Sequence, residues 1–279
     1  MDNSDLEDKF KKFHDMNDNA KTIKFSVITV CYNSEATIER TLQSIRDQTY
    51  KNIEYIIIDG GSTDKTLAIV NKYKGIIDVL VSEPDNGIYD AMNKGAKLAN
   101  GDYIGFLNSD DYYTNDIFEE YGKALVNKNF DFIYSNTCFF RKNEKFFRKD
   151  DCLVKKVYQY MPISHMSIYV KNSFVQDKMF DTKYKIAADL NFFNKLISRT
   201  INFAFIEKNM CYFSLDGLSS ANFKTLVESR IVAINNNKNI LNAYTFYYYK
   251  VFRLVIYNTF GSSRLYNLLK NLLHAKKLL

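Results

Sequence analysis

A chain of 279 residues, 46% hydrophobic and 25% charged, is long enough to bury a full core and too apolar to be disordered. It lacks any charge-free apolar run of about 18 residues, and its first 21 residues are polar and acid-rich, so neither a membrane-crossing helix nor a signal peptide is expected. The net charge of +6 is uneven: residues 231–279 hold seven Lys and Arg and no Asp or Glu, while the first 230 carry 31 basic against 32 acidic side chains. Four scattered cysteines without CxxC spacing read as reduced, buried thiols, and three scattered histidines form no metal pattern.

Residues 1–22 read as a flexible charged extension. Ile23–Cys31 (IKFSVITVC) has the continuous apolar character of a strand buried on both faces, and it ends in Tyr32-Asn33-Ser34-Glu35. A helix follows with Ile38, Leu42 and Ile45 on one stripe and Ser34 as its N-cap. IEYIIID is a second strand ending at Asp59; Gly60 and Gly61 turn the chain, and Ser62 or Asp64 opens a helix through Leu67, Ile69 and Val70. Val79–Ser82 is a third strand, Asp90–Leu98 a third helix and Tyr103–Leu107 a central strand interrupted by one glycine. This alternation predicts right-handed βαβ units and a parallel sheet. Beyond Tyr113 the pattern changes. A helix is expected over Ile117–Val126, a strand over Asp131–Tyr134, a basic hairpin arm over Thr137–Phe147 and strand character across Met161–Val170. Ala187-Ala188-Asp189 then precedes an amphipathic helix with Leu190, Phe193, Leu196 and Ile197, and Phe203–Phe213 returns as a strand into Leu215–Ser220. In the tail, Leu265, Leu268, Leu269, Leu272 and Leu273 recur at helical spacing among basic and aromatic residues. Two readings stand for it: an interfacial helix on an anionic membrane, or a helix packed on the core or on a second subunit.

Chemistry concentrates at strand ends. GDYIGFLNSDD drives an apolar strand into Asp110 and Asp111, where ligands of open α/β sheets bind and where hard carboxylate oxygens suit Mg2+ or Mn2+. An Asp pair there also starts turns or caps helices. Asp59, against two glycines, is either a ligand contact or a turn residue; Asp189 is either an acid–base group or an N-cap. His165 in PISHMS follows a proline turn and is either a ligand contact or a structural imidazole.

Four segments, SVITVCYNSEATIERTLQSIRDQTYKNIEYIIIDGGSTDKT, EPDNGIYDAMNKGAKLANGDYIGFLNSDD, KIAADLNFF and DGLSS, resemble the family-2 inverting glycosyltransferases, across residues 24–222. The likeness is to the bacterial enzymes of capsule, O-antigen and exopolysaccharide synthesis. It implies an α/β fold of GT-A type, a mostly parallel central sheet flanked by helices. A Rossmann-like nucleotide-binding half (23–115) would join an acceptor-binding half (116–222), followed by a basic, aromatic helical tail (223–279). The activity implied is metal-dependent transfer of a sugar from a nucleotide-diphosphate donor, UDP being preferred, to a saccharide or lipid-linked acceptor. Tyr32 and Glu35 would line the base pocket, Asp59 would contact the base, and Asp110 would bind ribose and diphosphate. Asp85 of EPDNG and Asn93 of DAMNKG complete the donor set, Asp111 would hold Mn2+ or Mg2+, and Asp189 would be the catalytic base. Asn108 stands where many relatives carry an acid. Met92 replaces a common arginine, leaving phosphate contacts to Lys94 or to the basic segments. The expected place is the cytosol, at the inner face of the plasma membrane, with no nucleic-acid partner. The rival readings are a catalytically idle membrane-docked scaffold of a polysaccharide assembly complex and a sugar nucleotidylyltransferase. The latter lacks its glycine-rich phosphate loop here, since CYNSEAT follows the first strand.

Overall fold

The computed structural model describes residues 22–141, 144–148, 163–175, 179–198, 202–216 and 223–236, together with 244 and 248. The charged extension expected before residue 22, Cys152, the DGLSS segment from 217 on and almost all of the basic tail lie outside the described residues. In chain order the elements are β1 (Phe25–Cys31), α1 (Ile38–Arg46), β2 (Ile53–Asp59), α2 (Thr66–Asn71), β3 (Val79–Ser82), α3 (Ile88–Leu98), β4 (Tyr103–Asn108), β5 (Tyr112–Tyr113) and α4 (Ile117–Leu125). There follow β6 (Phe132–Arg141), β7 (Glu144–Arg148), β8 (Tyr169–Lys171), α5 (Ala188–Ile197), β9 (Phe203–Ser214) and α6 (Phe223–Asn236).

One sheet runs β3-β2-β1-β4-β8-β6-β9-β5, with β7 paired to β6. The first four strands are parallel, as the βαβ pattern requires. β8 then pairs antiparallel with both β4 and β6, which makes the second half mixed. Every residue of β1 is buried because helices cover both faces of the sheet, which is why its sequence is an unbroken apolar run rather than an alternation. Its polar members are satisfied internally: Ser26 donates to Glu54 and Thr29 accepts from the Tyr55 hydroxyl. On one face Phe25 packs against Tyr50, Phe118 and Tyr169. The other face takes Ala91, Met92 and Ala96 of α3 and the apolar stripe of α5.

Several expectations change. The helix after β1 starts at Ile38 behind Thr37, and Ser34 contributes its carbonyl, not its hydroxyl, to that turn. Asp131–Tyr134 and the first part of the hairpin arm form one strand, β6, carried past a register shift at Ser135–Thr137, and β7 pairs antiparallel with its end to complete the expected hairpin. Residues 163–170 are largely not strand: His165–Ser167 form a 3-10 turn whose carbonyls at Met166 and Ser167 accept from the Tyr113 and Tyr121 hydroxyls. α5 begins at Ala188, so Asp189 lies in its first turn and the N-cap is Ala187. The C-terminal region begins by packing on the core, with Val232 and Ala233 of α6 buried. Among the described residues no helix is long and apolar enough to cross a membrane. Cys31, Cys138 and Cys211 are free and buried, as the composition implied.

Gly105 sits in β4 where a Cβ would stand 2.5–2.7 Å from ring atoms of buried Tyr169. Filling that contact forces the ring to shift within a packed aromatic cluster. Gly105→Ala should lower unfolding stability in urea by about 1–3 kcal/mol; an unchanged midpoint would show that β8 adapts freely and that the packing is looser than described.

Candidate functional site

The registers place Cys31 beside Asp59, Asp59 beside Ser82, and Val30 beside Asn108, so four parallel strands end at one level. Sites of open α/β sheets form there. Asp59 is fully buried and its carboxylate organises the turn after β2: it accepts from the backbone N–H of Gly61 and Ser62 and from the hydroxyls of Ser62 and Ser82. A direct contact to a base would require one of these bonds to be given up. Next to this turn, the Tyr32 side chain is 62% exposed, and a Cβ at Gly60 would collide with the Asp85 carboxylate and touch the Tyr32 ring. The glycine lets Tyr32 and Asp85 close on the end of β2. Glu35 serves this loop by accepting from the Lys65 N–H at 2.9 Å.

The turn after β4 is held by α1. Thr41 donates to the Asp111 carbonyl at 2.7 Å, and Arg40 donates to the Asp110 carbonyl at 2.8 Å. The Arg40 guanidinium lies over the adjoining rings of Tyr112 and Phe140, at 4.7 and 4.5 Å. The two carboxylates then differ. Asp111, expected as the metal ligand, is only 1% exposed; its oxygens accept from the Ser214 N–H at 2.8 Å and from Asn108 Nδ2 at 3.2 Å. Burial, followed by the negative charge of Asp110, pushes its carboxyl well above the usual range. Asp110 is half-buried; burial raises its carboxyl too, opposed by the neighbouring His165 and Arg40 side chains. Of the pair, Asp110 rather than Asp111 presents its carboxylate to the site, because Asp111 is enclosed against β9. Asn108 Oδ1 is buried beside them with no hydrogen-bond partner among the described residues.

From the second half come His165 and Asp189, each 21% exposed, with Nδ1 and Oδ2 separated by 3.8 Å. Asn108 Nδ2 stands 3.3 Å from His165 Nε2. An amide nitrogen only donates, so Nε2 is the acceptor and the neutral ring carries its proton on Nδ1, toward Asp189. Burial lowers the His165 pKa against the opposing pull of Asp189 and Asp110, which keeps the ring neutral at neutral pH. Asp189 Oδ1 accepts from the Leu190 N–H at 2.8 Å and lies 3.1 Å from the Tyr89 hydroxyl, which also reaches the Ile186 carbonyl at 2.7 Å. Oδ2 is therefore the oxygen turned to the open side, toward His165.

Two expected donor contacts do not reach the site. Asn93 is buried and both atoms of its amide bind the backbone of Phe180, at 2.8 Å each. Lys94 is occupied by Glu83 at 2.8 Å and by the Pro84 carbonyl. Asp85 is nearer, but one oxygen caps its own loop by accepting from the Gly87 N–H. The structure adds Arg40 and Tyr89. Neither was legible, since an arginine on an exposed helix face and a tyrosine at a helix start look like ordinary surface and core residues.

A family model, Glycosyl transferase family 2, matches residues 26–202. An uncharacterized glycosyltransferase of Mycobacterium tuberculosis is 41% identical over 105 residues, 37% of this chain and 40% of that protein. The UDP-Glc:alpha-D-GlcNAc-diphosphoundecaprenol beta-1,3-glucosyltransferase WfaP of Escherichia coli is 39% identical over 119 residues, 38% of this chain and 47% of its own length. The chain thus spans less than half the length of these curated relatives. Among solved structures, Staphylococcus aureus TarS 1-349 in complex with UDP superposes with a TM-score of 0.62 at 20% identity, covering 85% of this chain and 72% of that one. Mannosyltransferase PcManGT of Pyrobaculum calidifontis, in complex with GDP-Man and Mn2+, gives 0.61 at 18%, covering 92% and 81%. At those identities the structural likeness speaks to the fold, the GT-A arrangement of a mostly parallel sheet between helices.

The buried acid pair has a measurable consequence in the metal-free chain. Unfolded, Asp111 titrates near the ordinary value of about 3.9; folded, it keeps its proton to higher pH. The folded state binds more protons in that window, so stability from this group is present at low pH and lost as pH rises. In EDTA, Asp111→Asn should therefore gain stability relative to the parent chain between about pH 4 and about pH 7.5. A difference between the two denaturation midpoints that stays constant across that range would contradict the enclosed carboxylate.

Proposed function

The chain belongs to glycosyl transferase family 2, and from that premise we propose that it is a metal-dependent inverting enzyme that moves a sugar from a nucleotide-diphosphate donor to a hydroxyl of a saccharide or lipid-linked acceptor. The observation that carries this reading is the meeting of two groups from opposite halves of the sheet: the Asp110 turn after β4 and Asp189 of α5, with His165 between them.

In this reading residues 23–115 bind the donor and 116–222 the acceptor. The exposed ring of Tyr32 stacks on the nucleobase, with Glu35 and the Asp59 turn shaping the pocket behind it, and Asp85 flanks it. UDP is the preferred nucleotide, supported by the UDP and UDP-GlcNAc complexes of TarS and the UDP-Glc in the name of WfaP. The same name supports a lipid-linked acceptor in bacterial surface-glycan synthesis.

The donor set at Asp110 fits a divalent cation carried with the diphosphate. The Asp110 carboxylate and an unpartnered buried amide oxygen on Asn108 offer hard oxygen ligands, with the enclosed Asp111 carboxyl behind them and no positive charge on His165 to compete. Among the described residues no three acidic, His or Cys side chains form a cage. Mg2+ and Mn2+ sites of that kind complete their coordination from phosphate and water. The Mn2+ in the PcManGT complex supports manganese. When bound, the cation supplies charge neutralisation for the departing diphosphate.

The chain's own residues do the rest. Asp189 Oδ1 is held by Tyr89 and the Leu190 N–H, leaving Oδ2 to accept the proton of the acceptor hydroxyl as its oxygen attacks the anomeric carbon. A single displacement of this kind inverts the anomeric centre. His165, neutral and beside Oδ2, keeps the carboxylate aimed without neutralising it.

Two substitutions test the division of labour. Asp189→Asn should cut transfer by about 100-fold or more while calorimetric donor affinity stays within about twofold; unchanged turnover would remove Asp189 as the base. Asp110→Asn should abolish the manganese-dependent part of donor affinity, and a retained manganese response would move the cation elsewhere.

A further inference from the structure

The helix that carries Asp189 has no cap of its own. Its N-cap is Ala187, without a side-chain acceptor, although a helix start leaves its first backbone N–H groups unpaired. The segment that leads into the helix is instead anchored from α6, up to and including the N-cap N–H. Glu228 accepts from the backbone N–H of Lys185 at 3.0 Å, of Ile186 at 2.7 Å and of Ala187 at 3.1 Å. The Ile186 carbonyl is meanwhile held by the Tyr89 hydroxyl that also touches Asp189. The three residues before the base are thus gripped from α6 on one side and α3 on the other.

α6 is itself seated firmly enough to act as a clamp. Val232 and Ala233 are buried, Asn236 donates to Asn191 of α5 at 2.9 Å, and Asn235 donates to the Tyr184 hydroxyl at 3.0 Å. All of these α6 residues lie beyond the 26–202 segment matched by the family. A carboxylate suits the position because three donors converge on two oxygens; an amide of equal size would turn an NH2 toward donors. Its negative charge also favours the N-terminal end of α5.

We propose that Glu228 is a positioning residue for catalysis: an anchor supplied by the C-terminal helix that fixes residues 185–187, the lead-in and N-cap of α5, and hence the direction of Asp189 Oδ2 at the helix start. This rests on the reading of Asp189 as the base. The C-terminal helix is then part of the working apparatus, not an appendage to it.

The test compares the full chain with Glu228→Gln and Asp189→Asn in hydrolysis of UDP-glucose and UDP-GlcNAc with manganese, calorimetric binding of the same donors, and amide hydrogen exchange over residues 184–191. For Glu228→Gln, exchange over 185–189 should quicken by about tenfold or more. The kcat should fall by about 10- to 100-fold, and donor affinity should stay within about twofold. Unchanged exchange with unchanged kcat would overturn the proposal. So would a loss of donor affinity that matches the loss of kcat, which marks a general folding defect. If Asp189→Asn is inactive while Glu228→Gln is fully active, Glu228 falls and the base reading stands; if Asp189→Asn keeps full turnover, both fall.

Discussion

Strand β1 is hydrogen-bonded along both edges and covered on both faces, and its register with β2 and β4 brings three loop starts to one level. Everything proposed for the donor depends on that alignment. A slip of two residues on either side would separate Tyr32 from the Asp59 turn or lower Asp110 below the rim. The cores on the two faces lock the register, since a one-residue slip would exchange the side chains of Val27 and Ile28 between them.

At the rim the controlling physics is desolvation. Asp111 is enclosed, Asp110 half-enclosed, and burial raises both while it lowers His165. Neutral imidazole and strained carboxylates make a site that gains from positive charge brought by a ligand. The chain's own nearby cation, Arg40, is spent on a carbonyl and rests over two adjoining rings, so it steadies the turn and only partly offsets the charge. The side that carries His165 and Asp189 is built differently, by backbone capture: tyrosine hydroxyls hold the His165 turn, and Tyr89 with Glu228 holds the approach to Asp189.

Much of the first half was legible in the sequence because its strands are short apolar runs closed by polar or turn residues and its helices carry apolar stripes. The second half was less so. Residues 163–170 have β-forming composition, but their backbone is captured by Tyr113 and Tyr121, side chains distant in sequence. The site followed the same rule. The sequence pattern placed Asp59, Asp110 and Asp111 at strand ends, and the family resemblance singled out Asp189, yet neither could tell an open carboxylate from an enclosed one. Asp111 is closed by the Ser214 N–H, 103 residues away, and Asn93 by the backbone of Phe180. The role of Glu228 was illegible for the same reason, since its partners are backbone groups that carry no sequence signature.

The central claim is a donor site completed by a divalent cation. Its most direct test is calorimetric titration of UDP, GDP and dTDP into the intact chain, each with and without manganese. Binding of one nucleotide, UDP by preference, that strengthens with manganese is the predicted result. Absence of binding by all three in the presence of manganese would contradict the account and return the chain to the reading of an idle scaffold.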